Sequence, residues 1–322
     1  MKVCLHLLLI AGGVLLPSIL FAQKLKHGDY IEKIDGLNIH YTVKGIGPVM
    51  LVGHSNSGKV GYELTLKPLE KKFTMVYYEP RGTGKSDAPK TLDEYKFQYL
   101  VSEIEGFRKK LGIEKIWIFG HSDQSAVALQ YTIDYPDNVE GLILCGTSLI
   151  GTKAEMVERR KKAEADRMKQ SEWFRQVIKD WDYMNEHNTN RDKEGRALSM
   201  APLKWWCYNE ETFQKNLPVL KAVNIAGRRK PINGKYYFDT DEERERYLNY
   251  QQKFRTIETN ILIVNGKFDT NNPPKYVEQL HNELPQSSLF IIDKAGHFPW
   301  VEQPEETFKV INKWLSKEKN SS

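Results

Sequence analysis

From residue 29 to about residue 150 the chain alternates two kinds of hydrophobic pattern. Short runs rich in β-branched and aromatic residues predict strands at 30–33, 37–43, 49–52, 74–78, 116–119 and 141–145. Between them apolar residues recur at helical spacing, as in Leu100, Ile104, Phe107 and Leu111, and again in Ala126, Ala128, Leu129 and Tyr131. Strands alternating with helices predict an α/β fold with an open, mostly parallel sheet and helices on both faces.

The alternation stops near Ile150. Residues 151–256 hold no convincing strand; they show charged helical stretches with an aromatic seam (Phe174, Val177, Ile178, Trp181), then Trp205-Trp206, then a polar loop at 227–234. Strands return at 261–264 and 288–292, with helical patterns at 274–284 and 305–315. About 100 residues of helix inside a strand and helix domain predict a cap inserted after the sixth strand. The expected division is a signal peptide at 1–22, a first core part at 23–150, the cap at 151–256 and a second core part at 257–322.

The amino terminus stands apart from the fold. Met1 and Lys2 precede an apolar run from Leu7, broken by Pro17, with small Ala22 before Gln23. That is the layout of a secretory signal peptide cut after Ala22, and it predicts an exported, periplasmic or secreted protein. The run is shorter than the roughly 20 residues that span a bilayer, so no stable membrane span is expected after cleavage. Composition adds exclusions. With 40% hydrophobic and 28% charged residues in 322, the chain can bury a large core. Its net charge of +5 is spread through mixed-sign stretches, which argues against a nucleic-acid partner. Cys145 lies in an apolar strand run and reads as a small buried hydrophobe, Cys207 being the only other cysteine after residue 22. No Cys/His spacing suggests a metal site.

The chemistry gathers at predicted strand ends. The fifth strand runs into Gly120-His121-Ser122-Asp123-Gln124-Ser125, and a helix pattern follows at once. A serine on such a tight turn has its hydroxyl forced up at the end of the sheet, with the next N–H and the helix amino terminus facing a developing oxyanion. The usual G-x-S-x-G pattern needs small residues on either side; Gly120 complies and Gln124 does not. Asp269 follows one later strand and His297 the next. Catalytic groups of open α/β sheets collect at the carboxyl ends of strands, so Ser122, Asp269 and His297 are expected to converge, in the chain order Ser, Asp, His. Asp293 is the competing acid, but its place on the strand points it elsewhere.

These pieces, together with Val49-Met50-Leu51-Val52-Gly53-His54-Ser55-Asn56-Ser57-Gly58, Tyr78-Glu79-Pro80-Arg81-Gly82-Thr83-Gly84-Lys85-Ser86, Gly266-Lys267-Phe268-Asp269 and Gly296-His297-Phe298-Pro299-Trp300-Val301-Glu302-Gln303-Pro304, resemble the α/β-hydrolases over residues 29–317. The resemblance implies a serine hydrolase in which Ser122 is the nucleophile, His297 the general base and acid, and Asp269 the group orienting its imidazole. It also implies oxyanion donors in the backbone N–H groups of Asn56 and Asp123, and no cofactor or metal. Three positions depart from the family pattern: Ser55 for Gly, Glu79 for Asp, and Gln124 for a small residue, the last placing a bulky side chain beside the oxyanion hole. His54 is read as shaping its loop and His121 as packing under the elbow. Trp205 and Trp206, with Gln124, are candidate substrate-binding residues; Trp173, Phe174 and Trp181 are read as cap core or pocket wall.

Three rival readings are weaker. Residues 53–60 nearly spell a phosphate-binding loop but end in Val60, which offers no hydroxyl to Mg²⁺. An aspartate nucleophile would need Asp at position 122. A catalytically silent binding protein on this scaffold sits poorly with an intact Ser, Asp and His. The cap and the 78–86 segment resemble proline iminopeptidase-like hydrolases, whose Gly-Gly-Pro-Gly loop is absent here. Glu210, Glu211, Asp241, Glu242 and Glu243 are candidate binders of a substrate amine. The expected partner is a small-molecule or short-peptide substrate, with an ester or lactone placed ahead of an aminopeptidase substrate.

Overall fold

A computed structural model of the chain describes residues 25–91, 93–148, 150–224 and 249–318. The expected signal segment, the loop at 227–234 and the carboxylates Asp241, Glu242 and Glu243 lie outside the described residues. Eight strands form one sheet: β1 (Gly28–Ile34), β2 (Leu37–Gly45), β3 (Val49–Val52), β4 (Thr74–Tyr78), β5 (Ile116–His121), β6 (Val139–Cys145), β7 (Ile261–Gly266) and β8 (Ser287–Ile292). Each predicted run is a strand; β3 and β4 keep both predicted ends, and the others have one or both ends moved by one or two residues. The spatial order is β1-β2-β4-β3-β5-β6-β7-β8. β1, β2 and β4 pair antiparallel, and every pairing from β4 through β3 to β8 is parallel.

Burial explains the patterns. Along β1, on the edge, exposed and half-buried residues alternate, whereas β4, β5 and β7 are buried at every position. Strands covered on both faces need apolar residues throughout. Successive side chains point to opposite faces. Leu51, Val76, Ile118, Leu142, Leu144, Ile261 and Ile263 join one core cluster, while Met50, Val52, Met75, Tyr77, Phe119, Ile143 and Val264 join the other.

The helices are α1 (Val60–Thr65), α2 (Phe97–Lys110), α3 (Gln124–Asp134), α4 (Lys153–Gln170), α5 (Glu172–Glu186), α6 (Ala201–Trp205), α7 (Glu210–Asn224), α8 (Pro274–Glu283), α9 (Pro299–Glu302) and α10 (Pro304–Glu318). Helices α4 to α7 fall in the insert between β6 and β7. A capping box opens α4, in which Thr152 accepts from the Glu155 N–H and Glu155 reaches back to the Thr152 N–H. Phe174, Val177 and Trp205 give this inserted segment a small core of its own. Arg191 and Ala197 form an isolated antiparallel bridge within it.

Candidate active site

Ser122 stands between β5 and α3 with φ +52°, in the left-handed region that a non-glycine residue rarely occupies. The surroundings hold it there. Its N–H donates to the Cys145 carbonyl at 2.9 Å, and its carbonyl accepts from the Ser125 N–H at 3.0 Å. The turn is tight enough that a Cβ on Gly120 would lie 2.9 Å from the Ser125 Cα. That clearance is the physical reason for glycine at this position. Asp123 begins α3 without using its carboxylate as a cap, and burial pushes that carboxyl above its usual range, against a lowering by His297.

Two loops at the ends of β7 and β8 bring the other residues together. The His297 imidazole lies 2.8 Å through Nδ1 from Asp269 Oδ2, with both side chains buried. Asp269 Oδ1 accepts from the N–H groups of Asn271 and Asn272, each at 3.0 Å. A carboxylate only accepts, so it assigns the proton to Nδ1 and leaves Nε2 with its lone pair. Asn272 supports the same corner: its Nδ2 donates to the Gly146 carbonyl at 2.8 Å, and its Oδ1 accepts from the Ser148 N–H and hydroxyl, each at 3.0 Å. Gly146, at φ +59°, lets β6 approach the histidine; a Cβ there would sit 2.8 Å from the His297 carbonyl oxygen and 3.1 Å from Nδ1. Asp293 lies on the surface, paired with Lys267 at 3.0 Å.

Beside His297 is a cluster of rings. His121 packs on it at 4.7 Å between centroids, and Nδ1 of His121 meets the Tyr62 hydroxyl at 2.8 Å. Burial, then the charge of His297, pushes His54 down to about 3 and His121 well below its usual range. Both are therefore neutral at pH 7. Neutral His54 accepts from the Asn56 N–H through Nδ1 at 3.2 Å, a long bond that engages one expected oxyanion donor. On the outer side, the Trp206 ring lies 4.2 Å from that of His297, and the Trp206 carbonyl accepts from the His297 N–H at 2.8 Å.

The remaining predicted residues separate. Trp205 turns into the inserted segment's own core, 2% exposed, and donates to Glu164 at 2.9 Å. Its neighbour Trp206 is the tryptophan that meets the site. Gln124 is buried with Nε2 3.3 Å from the Tyr78 hydroxyl, while its Oε1 finds no partner among the described residues. Glu79 braces its own turn, accepting from the Lys85 N–H at 2.7 Å, and Arg81 forms a buried pair with Glu103 at 3.0 Å. Lys59 of the near phosphate-loop sequence is engaged by Thr42 at 2.7 Å and Glu63 at 2.9 Å. Cys145 and Cys207 are both free and buried. Sequence reasoning gave no role to Gly146, Asn272, Arg167 or Glu302, which surround the Asp269 and His297 loops. The signals were a glycine directly after an apolar strand and, for Glu302, its place in the family-like stretch 296–304.

Comparison with known proteins agrees with this architecture. The sequence profile of the α/β-hydrolase fold matches residues 48–304. A proline iminopeptidase, PfmaB, of Pestalotiopsis fici is 26% identical over 296 residues, covering 90% of this chain and 99% of its own. A proline iminopeptidase of Heyndrickxia coagulans is 23% identical, covering 84% and 92%. Among solved structures, a thermophilic esterase from Thermogutta terrifontis superposes with a TM-score of 0.65 at 21% identity, covering 90% and 98%. With a profile match over most of its length and the eight-stranded sheet that goes with it, the chain belongs to the α/β-hydrolase fold family.

Proposed function

We propose that the protein is an exported serine hydrolase that cleaves a small-molecule ester or lactone through Ser122, His297 and Asp269. The observation that carries this reading is the buried 2.8 Å pairing of Asp269 with His297, taken together with a strained serine on the β5 to α3 turn at the same end of the sheet. In this mechanism Nε2 of His297 takes the Ser122 proton as Oγ attacks the carbonyl carbon, and the imidazolium is stabilised by Asp269. The imidazolium then returns the proton to the leaving group, giving an acyl-enzyme. Water, deprotonated by the same Nε2, hydrolyses it. The oxyanion is held by the Asp123 N–H and by the Asn56 N–H, which exchanges a neutral imidazole acceptor for a charged oxygen.

The choice between ester and amine-bearing substrates rests on the inserted segment. Glu210, one candidate to bind a substrate amine, is already engaged by Lys204 at 3.2 Å, Gln214 at 2.6 Å and the Trp173 indole N–H. A carboxylate so neutralised has little attraction left for a cation, so Glu210 itself gives the amine-bearing substrate no support. The second reading, an aminopeptidase, is favoured by the proline iminopeptidases among the relatives. A parallel assay with short-chain aryl esters, lactones and a prolyl arylamide separates them. Turnover of the arylamide above every ester would replace the first reading with the second. Labelling by no fluorophosphonate, and turnover of nothing, would point to a silent binding protein. Export rests on the apolar run before Gln23, and intact-mass analysis of the protein recovered outside the cytoplasm tests it; a species beginning at Met1 would contradict it.

A further inference from the structure

Two buried side chains that take no part in the chemistry, Arg167 and Glu302, grip the loops of the triad, and both close on the same stretch of the inserted segment. Arg167, on α4, donates to the Phe268 carbonyl at 3.2 Å and the Thr270 hydroxyl at 2.9 Å, the two residues on either side of Asp269. Glu302, at the end of α9, accepts from the N–H groups of Gly296 at 2.9 Å and Phe298 at 3.4 Å, the two residues on either side of His297. Their remaining bonds meet. Glu302 accepts from the Tyr208 N–H at 2.7 Å, while Arg167 donates to the carbonyls of Cys207 and of Tyr208, the latter at 2.7 Å. The peptide between Cys207 and Tyr208 is therefore held at its oxygen by the guanidinium and at its nitrogen by the carboxyl group. One residue earlier, the Trp206 carbonyl takes the His297 N–H.

The local packing leaves no slack for other arrangements. Phe174 lies under the Arg167 guanidinium at 3.9 Å, and a Cβ on Gly296 would sit 2.2 Å from the Trp206 carbonyl oxygen. Arg167 is 7% exposed and Glu302 4%. Buried polar groups are retained where they are hydrogen-bonded, and these bond mainly to backbone groups of three separate segments.

We propose that Arg167 and Glu302 are positioning residues that make the seating of the inserted segment and the alignment of Asp269 with His297 a single event. The proposal rests on the triad reading above. With residues 206–208 in place, the Trp206 carbonyl and Glu302 fix the histidine loop while Arg167 fixes the aspartate loop. With them displaced, both clamps lose their common anchor, and the two loops can drift apart by the fraction of an ångström that proton transfer does not tolerate.

The test compares Arg167→Lys and Glu302→Gln with Val177→Ala, which loosens the segment's own core without touching either loop. The readouts are kcat and KM for the best aryl ester and the rate of fluorophosphonate labelling, measured well below each variant's melting temperature. Arg167→Lys keeps the charge but cannot reach all of the acceptors. Glu302→Gln turns one acceptor oxygen into a donor facing an N–H. Each is expected to lower kcat and the labelling rate together by roughly 30- to 100-fold, with KM within about threefold, as misplaced catalytic groups do. Val177→Ala is expected to lower the melting temperature and leave labelling at the wild-type rate. Wild-type labelling in Arg167→Lys, or a loss no greater than that of Val177→Ala, would overturn the proposal; if Glu302→Gln does not fold, Arg167→Lys decides alone. Ser122→Ala, run alongside, separates the two readings. Turnover by that variant would defeat the triad itself, whereas a dead Ser122→Ala beside unaffected clamp variants would defeat the clamp only.

Discussion

Asp269→Asn is the substitution from which the structure draws the largest effect for the smallest change in shape. Asp269 uses both oxygens: Oδ1 takes two backbone N–H groups and Oδ2 takes the His297 Nδ1. An asparagine has one oxygen, and the two backbone donors claim it. Its NH₂ must then face His297, where it can only donate, so the imidazole has to present a bare Nδ1 and carry its proton on Nε2. In that tautomer it cannot accept the Ser122 proton. The expected loss is on the order of 10⁴-fold in kcat, or about 5 kcal/mol of transition-state stabilisation. Stability should change little, since volume and most hydrogen bonds are kept. The assay is steady-state hydrolysis of an aryl ester at pH 7, with thermal melting as the control and Asp293→Asn as the comparison. A kcat within tenfold of wild type in a variant that melts normally would refute the tautomer argument. So would a larger loss in Asp293→Asn, whose carboxylate is on the surface with Lys267.

Two further outcomes follow from the same geometry. Trp205→Ala should lower stability by about 3–5 kcal/mol, because it empties the core of the inserted segment, whereas Trp206→Ala should spare stability and change KM and substrate ranking. Chemical denaturation and a substrate panel on both variants check this, and a swapped pattern would contradict it. The pH dependence of stability should carry the mark of His54. Held neutral down to about 3 in the fold against about 6.5 when unfolded, it contributes stability that is complete above pH 6.5 and lost as pH falls, about 2 kcal/mol by pH 5. Glu103 and Glu302, both pushed up to about 7 by burial, act in the opposite sense over the same window. The His54 contribution is therefore read from the difference between wild type and His54→Asn in urea titrations at pH 7 and pH 5; equal pH slopes would count against it.

The parts of this molecule that are legible in its sequence are those set by local pattern. Strands such as β4 and β7, apolar at almost every position, announce a sheet covered on both faces, and Ser122, Asp269 and His297 each directly follow a strand or its turn. Parallel topology puts all three at the same end of the sheet, which is what makes them candidates for one site. What stayed hidden depends on contacts between distant segments. Trp205 and Trp206 are neighbours in the chain, but consecutive residues at a helix end point roughly 100° apart, and only packing decides which one faces His297. Gln124 departs from the family pattern, and its 3.3 Å contact with the Tyr78 hydroxyl is one that no local motif announces. Arg167 and Glu302 reach backbone groups about 100 residues away, and a backbone acceptor leaves no trace in residue type.

The central claim is that Ser122, activated by His297 and Asp269, is the nucleophile. It is tested most directly by treating the protein with a fluorophosphonate and locating the adduct by peptide mass spectrometry, in wild type and in His297→Ala. The account predicts one adduct, on Ser122, formed in wild type and slowed by at least about 10³-fold in His297→Ala. An adduct on another serine, or labelling of Ser122 that does not depend on His297, would contradict it.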